Sequence, residues 1–330
     1  MKLSSFLSLG LAAFALAAPT PTEEKRGTLA KRAAITETPT TGYATQNGGT
    51  TGGKGGTTTT VSSLAQFTAA VSGDTAKVVV LSKSLTNTEG STAVIVKVGS
   101  NKTIVGNDSS VTLTNIGLSI KSVRNVIVRN LAIKKVIASG DNIAVQKATN
   151  VWLDHLDLSS DQTHGKDYYD GLLDLTHAAD YITISYVKLH DHYKASLIGH
   201  SDDNKSEDSG HLRVTYYNCH WLNINSRGPS VRFGTVHLFN NYYDNVADGI
   251  NVRLGAQALV QNNVWVGGKK PLYAVDNDGY AVASGNDFGD GENTAPTGTL
   301  KSVPYTVPTL MAVSAVKAAV VGKAGNTLSF

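Results

Sequence analysis

Two arginines five residues apart, Arg227 and Arg232, lie in the stretch NINSRGPSVRFG (residues 223–234), which contains no Asp, Glu or His. A guanidinium group with no carboxylate beside it is free to take an external anion, whereas a lone surface arginine usually ends in a weak ion pair. Residues 139–180 concentrate the opposite charge. They carry Asp141, Asp154, Asp157, Asp161, Asp167, Asp170, Asp174 and Asp180 against Lys147 and Lys166 alone. On an extended strand, Asp170 and Asp174 would share one face about 13 Å apart, and a bend at Gly171 would bring them closer. If Asp141 belongs to a neighbouring strand, about 4.8 Å away, three carboxylates converge, and a hard cation such as Ca2+ relieves their repulsion. The competing reading is a solvated acidic face. Lys194, Arg227 and Arg232 follow in later segments. They are expected to oppose the acidic patch across a shallow groove suited to an extended polyanion.

Other chemistries find less support. His164, His190, His192 and His200 lack a diagnostic zinc spacing. No G-x-S-x-G nucleophile motif is present, and Cys219 has no evident base partner. As the only cysteine, Cys219 also excludes an internal disulfide, and it is expected to pack inside or beneath the chain's coils. Gly48 to Lys54 has phosphate-loop spacing, but Gly55 stands where Ser or Thr would bind magnesium. The stretch NGGTTGGKGGTTTT therefore reads as a flexible lead into the first folded unit.

The elements that must hold these residues are strands. Seven short runs align: VIVRNLAI, VWLDHLDL, ITISYVKL, VTYYNCHW, HLFNNYYD, LVQNNVWV and AVASGNDF. The fifth residues of the first six are Asn130, His155, Tyr186, Asn218, Asn241 and Asn263, and the sixth of the last is Asn286; these are separated by 25, 31, 32, 23, 22 and 23 positions. A repeat of this length built from alternating β-branched residues is the signature of stacked coils. Recurrent asparagine adds a side-chain ladder and tolerance of left-handed backbone. The expected architecture is all-β, a parallel β-helix with helical caps and long loops on one side. A β-sandwich would not repeat asparagine in this way. The run 61–71, with a serine N-cap, is the candidate N-terminal cap, and LMAVSAVKAAVVGKAG reads as a helix ending at glycine. The longer repeats place insertions at roughly 156–180 and 187–211, and function is expected on such loops.

The first residues, MKLSSFLSLGLAAFALAA, have the charge, apolar run and small-residue site of a secretory signal peptide over 1–17. Residues 18–32 read as a propeptide ending at the basic pair Lys31-Arg32, leaving 33–330 as a single β-helix catalytic domain. Removing 1–32 takes five of the 29 basic and two of the 26 acidic residues, which leaves 24 of each. That balance gives no support to nucleic-acid binding, and no later run is long and apolar enough to span a membrane. Asn101, Asn107 and Asn204 head glycosylation triplets.

Longer motifs then point to a family. NVWLDHLDLSSD (150–161), DGLLDLTHAADYITISYVKLHDHYKASLIGHSD (170–202), LRVTYYNCHWLNINSRGPSVRFGTVHLFNNYY (212–243) and GINVRLGAQALVQNN (249–263) resemble the pectate lyases of polysaccharide lyase family 1. The resemblance covers about residues 45–290. It implies a right-handed parallel β-helix and a calcium-dependent enzyme that cleaves polygalacturonate by β-elimination; with the signal peptide, a secreted monomer is expected. By position it implies Asp141, Asp170 and Asp174 as calcium ligands, Lys194 and Arg232 as substrate-binding residues, and Arg227 as the proton-abstracting base. The implied base works best at alkaline pH, and the bare stretch around Arg227 is expected to leave its guanidine free to act. Asp154 and His155 also match the family pattern and read as structural. Ser139 stands where some relatives have an acid, and Tyr193 where aspartate is common. The alternatives are a pectin lyase acting on methyl esters, a hydrolase on the same scaffold, and a non-catalytic pectin-binding β-helix.

Overall fold

Successive β-branched runs stack here because none can bury its inner face alone. The computed structural model describes residues 32–88, 91–276 and 278–330. The proposed signal peptide and, apart from Arg32, the propeptide lie outside the described residues. Among those residues no helix is long and apolar enough to cross a membrane.

The described strands form two parallel sheets wound as a β-helix. The first has a path of ten strands from Thr57–Val61 to Gly279–Ser284, with side branches. The second has eight, from Val94–Lys97 to Lys270–Tyr273. Each strand pairs with the strand one coil away. One column runs Ile127, Trp152, Thr183, Thr215, His237, Leu259, Val282. These partners are 25, 31, 32, 22, 22 and 23 residues apart, so the sequence repeat holds with one slip.

The slip has a local cause. Asn130, His155, Tyr186, Asn218, Asn240, Asn262 and Gly285 all have positive φ and form one column of left-handed turns. The buried amide ladder lies one residue later. Asn241 Nδ2 donates to Asn263 Oδ1 at 2.8 Å, Asn263 Nδ2 donates to Asn286 Oδ1 at 3.0 Å, and Cys219 N donates to Asn241 Oδ1 at 2.9 Å. Asn218 is therefore a turn residue, and Cys219 occupies the ladder position. Burial pushes the Cys219 thiol up to about 12, so it stays protonated and packs as an apolar group.

Aromatic rings stack inside the coils. Trp221 and Tyr243 lie 5.5 Å apart at 10°, Tyr243 and Trp265 4.4 Å apart at 7°. The helix Leu64–Val71 starts at Ser63, whose side chain accepts from Gln66 N, and buries Phe67, Ala70 and Val71 against the first coils. The helix Val313–Val320 ends near Gly322 (φ 76), as its sequence suggests, and lies along the flank. There Val316 and Val320 pack on Tyr242 and Val264. The glycine-rich stretch is not a loose lead. Asn125 Oδ1 accepts from both Thr51 N and Gly52 N at 2.7 Å, and Gly53 N donates to Thr103 Oγ1 at 2.9 Å. The sequence-based insertions shrink to the segments 160–172 and 199–212, because Lys188–Lys194 and Ser196–Ile198 are strands of the stack.

Candidate functional site

The predicted residues gather where first-sheet strands turn into the second sheet. Asp174 is in the strand Leu173–Thr176, beside Ala144 on one side and Leu197 on the other. Gly171 sits between the acids. Its N–H donates to Asp141 Oδ1 at 2.8 Å, while a Cβ on it would meet Asp174 Oδ1 at 2.5 Å. Only glycine lets both carboxylates close on this corner. Leu197 N donates to Asp174 Oδ1 at 3.0 Å.

Burial, with the charges of Asp174 and Asp170 added, holds Asp141 well above the usual carboxylate range. Burial likewise pushes Asp174 up to about 7, against the pull of Arg227. Asp170 is paired with a lysine. Its Oδ1 and Asp167 Oδ1 each accept from Lys194 Nζ at 3.1 Å. Among the described residues no three His, Cys, Asp or Glu side chains are already set at metal-binding distances. The four histidines are otherwise engaged. His164 bonds Asp161, His190 bonds Asp157 and Asp191, His192 bonds Ser160 and Asp170 O, and His200 stacks on His177. Burial pushes His192 down to about 4, which keeps it neutral.

Arg227 owes its position to an insertion. His192 pairs with Ile224 and Ile224 with Val246 on one side of the corner; Leu197 pairs with Ser230 and Ser230 with Asn251 on the other. From His192 to Leu197 is five steps, from Ile224 to Ser230 six, and from Val246 to Asn251 five. The Arg227 corner thus holds one residue more than its neighbours, and Arg227 itself takes φ 62. Left-handed residues are common at turns of this coil, so it is the extra residue that sets this corner apart. The turn carries the guanidinium to the acids, with Nη1 4.0 Å from Asp174 Oδ2.

This corrects two expectations. Arg227 does not stand apart from carboxylates, and the basic side chains do not face the acidic patch across a groove. Lys194 and Arg227, from the next two coils, sit directly against Asp170 and Asp174. Arg232 is also paired. Its Nε donates to Asp202 Oδ1 at 2.6 Å, and Asp202 Oδ2 accepts from Arg253 Nη2 at 3.2 Å. Asp202 comes from the segment 199–212, far from the arginine stretch in sequence. Arg253, directly opposite Arg232 in the sheet, was signalled by the repeat of SVRFG (230–234) as NVRLG (251–255).

The remaining predicted residues separate clearly. Asp154 and His155 are structural: Asp154 is buried and bonded by Arg129, His155 and Ser185. Tyr193 donates its hydroxyl to Gln162 O at 3.2 Å and so ties down the segment 160–172. Asn101 is woven into a second asparagine ladder, donating to Asp74 O and accepting from Asn125. Asn204 Nδ2 donates to Glu207, while Asn107 is exposed.

A parallel β-helix with cationic side chains packed against carboxylates along one corner defines the class: a solenoid with an extended, charged face. Residues 25–327 match the family described as pectate lyase. The chain is 61% identical to the probable pectate lyase A of Aspergillus flavus, covering 100% of this chain and 99% of that protein. It is 57% identical to pectate lyase A of Aspergillus niger, covering 96% and 94%. Among solved structures, a Bacillus pectate lyase in complex with trigalacturonate is 28% identical, with TM-score 0.78 and coverage of 86% and 98%. An arginine-to-lysine mutant of Bacillus subtilis pectate lyase (TM-score 0.80, 22% identity, coverage 90% and 100%) shares the fold. The chain belongs to the pectate lyase family and is a polysaccharide lyase.

Proposed function

We propose that this protein is a secreted, monomeric, calcium-dependent pectate lyase. It cleaves α-1,4-linked galacturonan by β-elimination and leaves an unsaturated sugar at the new non-reducing end. The observation that carries this reading is the meeting of Arg227, on its inserted left-handed turn, with buried Asp174, beside half-buried Asp141. Lysine and arginine on the same corner match a polymer that presents one carboxylate per sugar.

The residues fit calcium. Asp141 and Asp174 offer hard oxygen donors, their burial leaves them short of positive charge, and Gly171 removes the side chain that would separate them. Asp170 would join them once Lys194 turns to substrate. Bound there, calcium would neutralise the substrate carboxylate and acidify the neighbouring C–H. Lys194 and Arg232 bind and orient uronate carboxylates, and Arg232 exchanges Asp202 for one of them. Asp174 orients the Arg227 guanidine. Arg227 in its neutral form removes the C5 proton, and the C4–O bond then breaks with its electrons leaving on oxygen. Asn107 is the acceptor best placed to carry a glycan, since Asn101 and Asn204 use their amide nitrogens inside the fold.

The test is cleavage of polygalacturonate, followed by the ultraviolet absorbance of the unsaturated product, with and without a calcium chelator. Activity on galacturonan that persists through thorough chelation would reject the calcium role, and a product lacking the double bond would reject elimination. Replacing Arg227 by lysine is expected to lower kcat by about 10²- to 10⁴-fold, the range for removing a positioned base.

A further inference from the structure

Beyond Asp141 the second sheet continues for two coils, the strands Ile116–Lys121 and Val94–Lys97. There it forms one side of an open cavity of about 570 Å³, lined by Ile95, Lys97, Lys121, Ser139, Asp141 and Gln146 among others. Part of its lining is apolar. A Cβ on Gly117 or Gly140 would come within 2.9 and 2.5 Å of Ile95 Cδ1, so glycine at both positions lets Ile95 lie across them, 37% exposed. Its rim carries two ammonium groups. Lys97 and Lys121 are exposed on adjacent coils, and neither makes an ion pair among the described residues. Elsewhere along the corner and the second sheet, Lys194, Arg232, Arg253 and Lys270 are all paired with aspartates.

We propose that this cavity is a further subsite for the anionic polymer. Lys97 and Lys121 take the carboxylates of uronate residues lying beyond the cleavage centre, and the Ile95 ledge receives a sugar face. The inference rests on the proposed activity and extends it to chain length. Two coils separate Lys97 from the Asp141 coil, a reach of about 10 Å. Only a chain that overruns the Asp141–Arg227 cluster touches both lysines. Exposed cations on a rim give modest binding that salt weakens, so the subsite sets a preference for long chains and leaves the chemical step alone.

The experiment compares trigalacturonate with a long galacturonan oligomer in K97A, K121A and the double variant, with K97Q/K121Q as a second pair. The ratio of long-chain to trimer kcat/KM is expected to fall about fivefold in the double variant, the scale of one or two exposed charge contacts. Added salt should narrow the difference, and the double arginine variant should restore the ratio. A control, K301A, removes one exposed positive charge away from the cavity and should leave the ratio as in wild type. An unchanged ratio in active, folded double variants overturns the subsite. So does an equal loss on trimer and long chain, because that is the mark of a diffuse field. A wild-type protein that produces no unsaturated product from either substrate rejects the functional reading itself, an outcome distinct from loss of the subsite alone.

Discussion

At the scale of single residues, the site is defined by a glycine and an arginine in unusual places. Gly171 has no side chain because Asp174 fills that space. Gly171→Ala should push the Asp174 carboxylate aside and raise the calcium concentration needed for half-maximal activity more than about tenfold, the scale at which disturbing one ligand's setting affects a metal site. A calcium titration that superimposes on wild type would show that the glycine is incidental. Arg227 directly follows the strand His220–Ser226. Its carbonyl accepts from Ser196 N at 2.9 Å, so the backbone of the corner is fixed whatever the side chain does. Arg227 substitutions should therefore reduce turnover while leaving the thermal midpoint close to wild type.

At the scale of elements, the coils are held by hydrogen bonds that run along the stack as well as within each sheet. Asn263 accepts from Asn241 N and Nδ2, and donates to Leu238 O, Gln261 O and Asn286 Oδ1. Asn263→Ala strands the buried Asn241 amide and the Leu238 carbonyl. The expected loss is about 2–4 kcal/mol, since each unsatisfied buried polar group costs about 1–3 kcal/mol. Urea unfolding measures it, and a loss below about 0.5 kcal/mol, the ordinary effect of a surface change, would mean that the ladder is decorative. Ser63→Ala offers a smaller contrast at the first helix. It removes an N-cap bond worth about 1 kcal/mol.

At the scale of the whole molecule, the site opposes stability. An ordinary aspartate releases its proton near 3.8, whereas Asp174 in the fold keeps it to about 7. The folded state therefore binds the proton over a window in which the unfolded chain has already lost it. The stability this group provides is complete below 3.8 and disappears as pH rises towards 7. Asp141, raised by burial and by the same neighbours, acts in the same direction. The chelated protein should thus unfold at lower urea at about pH 8 than at about pH 5, and calcium should recover the difference by binding the native state. Asp174→Asn should flatten the chelated protein's pH slope. If chelated wild type and variant share one slope, the buried carboxylates are not what links pH to stability.

What the sequence determined by itself was whatever is local and repeated. Each coil meets the next through the same kind of alternating strand, so the β-helix, its N-terminal helix and the stacking of asparagines were legible from short runs and their spacing. The pairs Asn240-Asn241 and Asn262-Asn263 mark the limit of that reading, because identical neighbours do not reveal which one turns the chain and which one joins the ladder. Only the tertiary structure decided that, by placing the first of each pair at positive φ and burying the second. It also decided the charge arrangement at the site. Asp202 reaches Arg232 across 30 positions of sequence, and one extra residue in a corner brings Arg227 to Asp174. Both depend on how the coils are registered against each other, and register is a property of the whole stack, which no single stretch of chain contains.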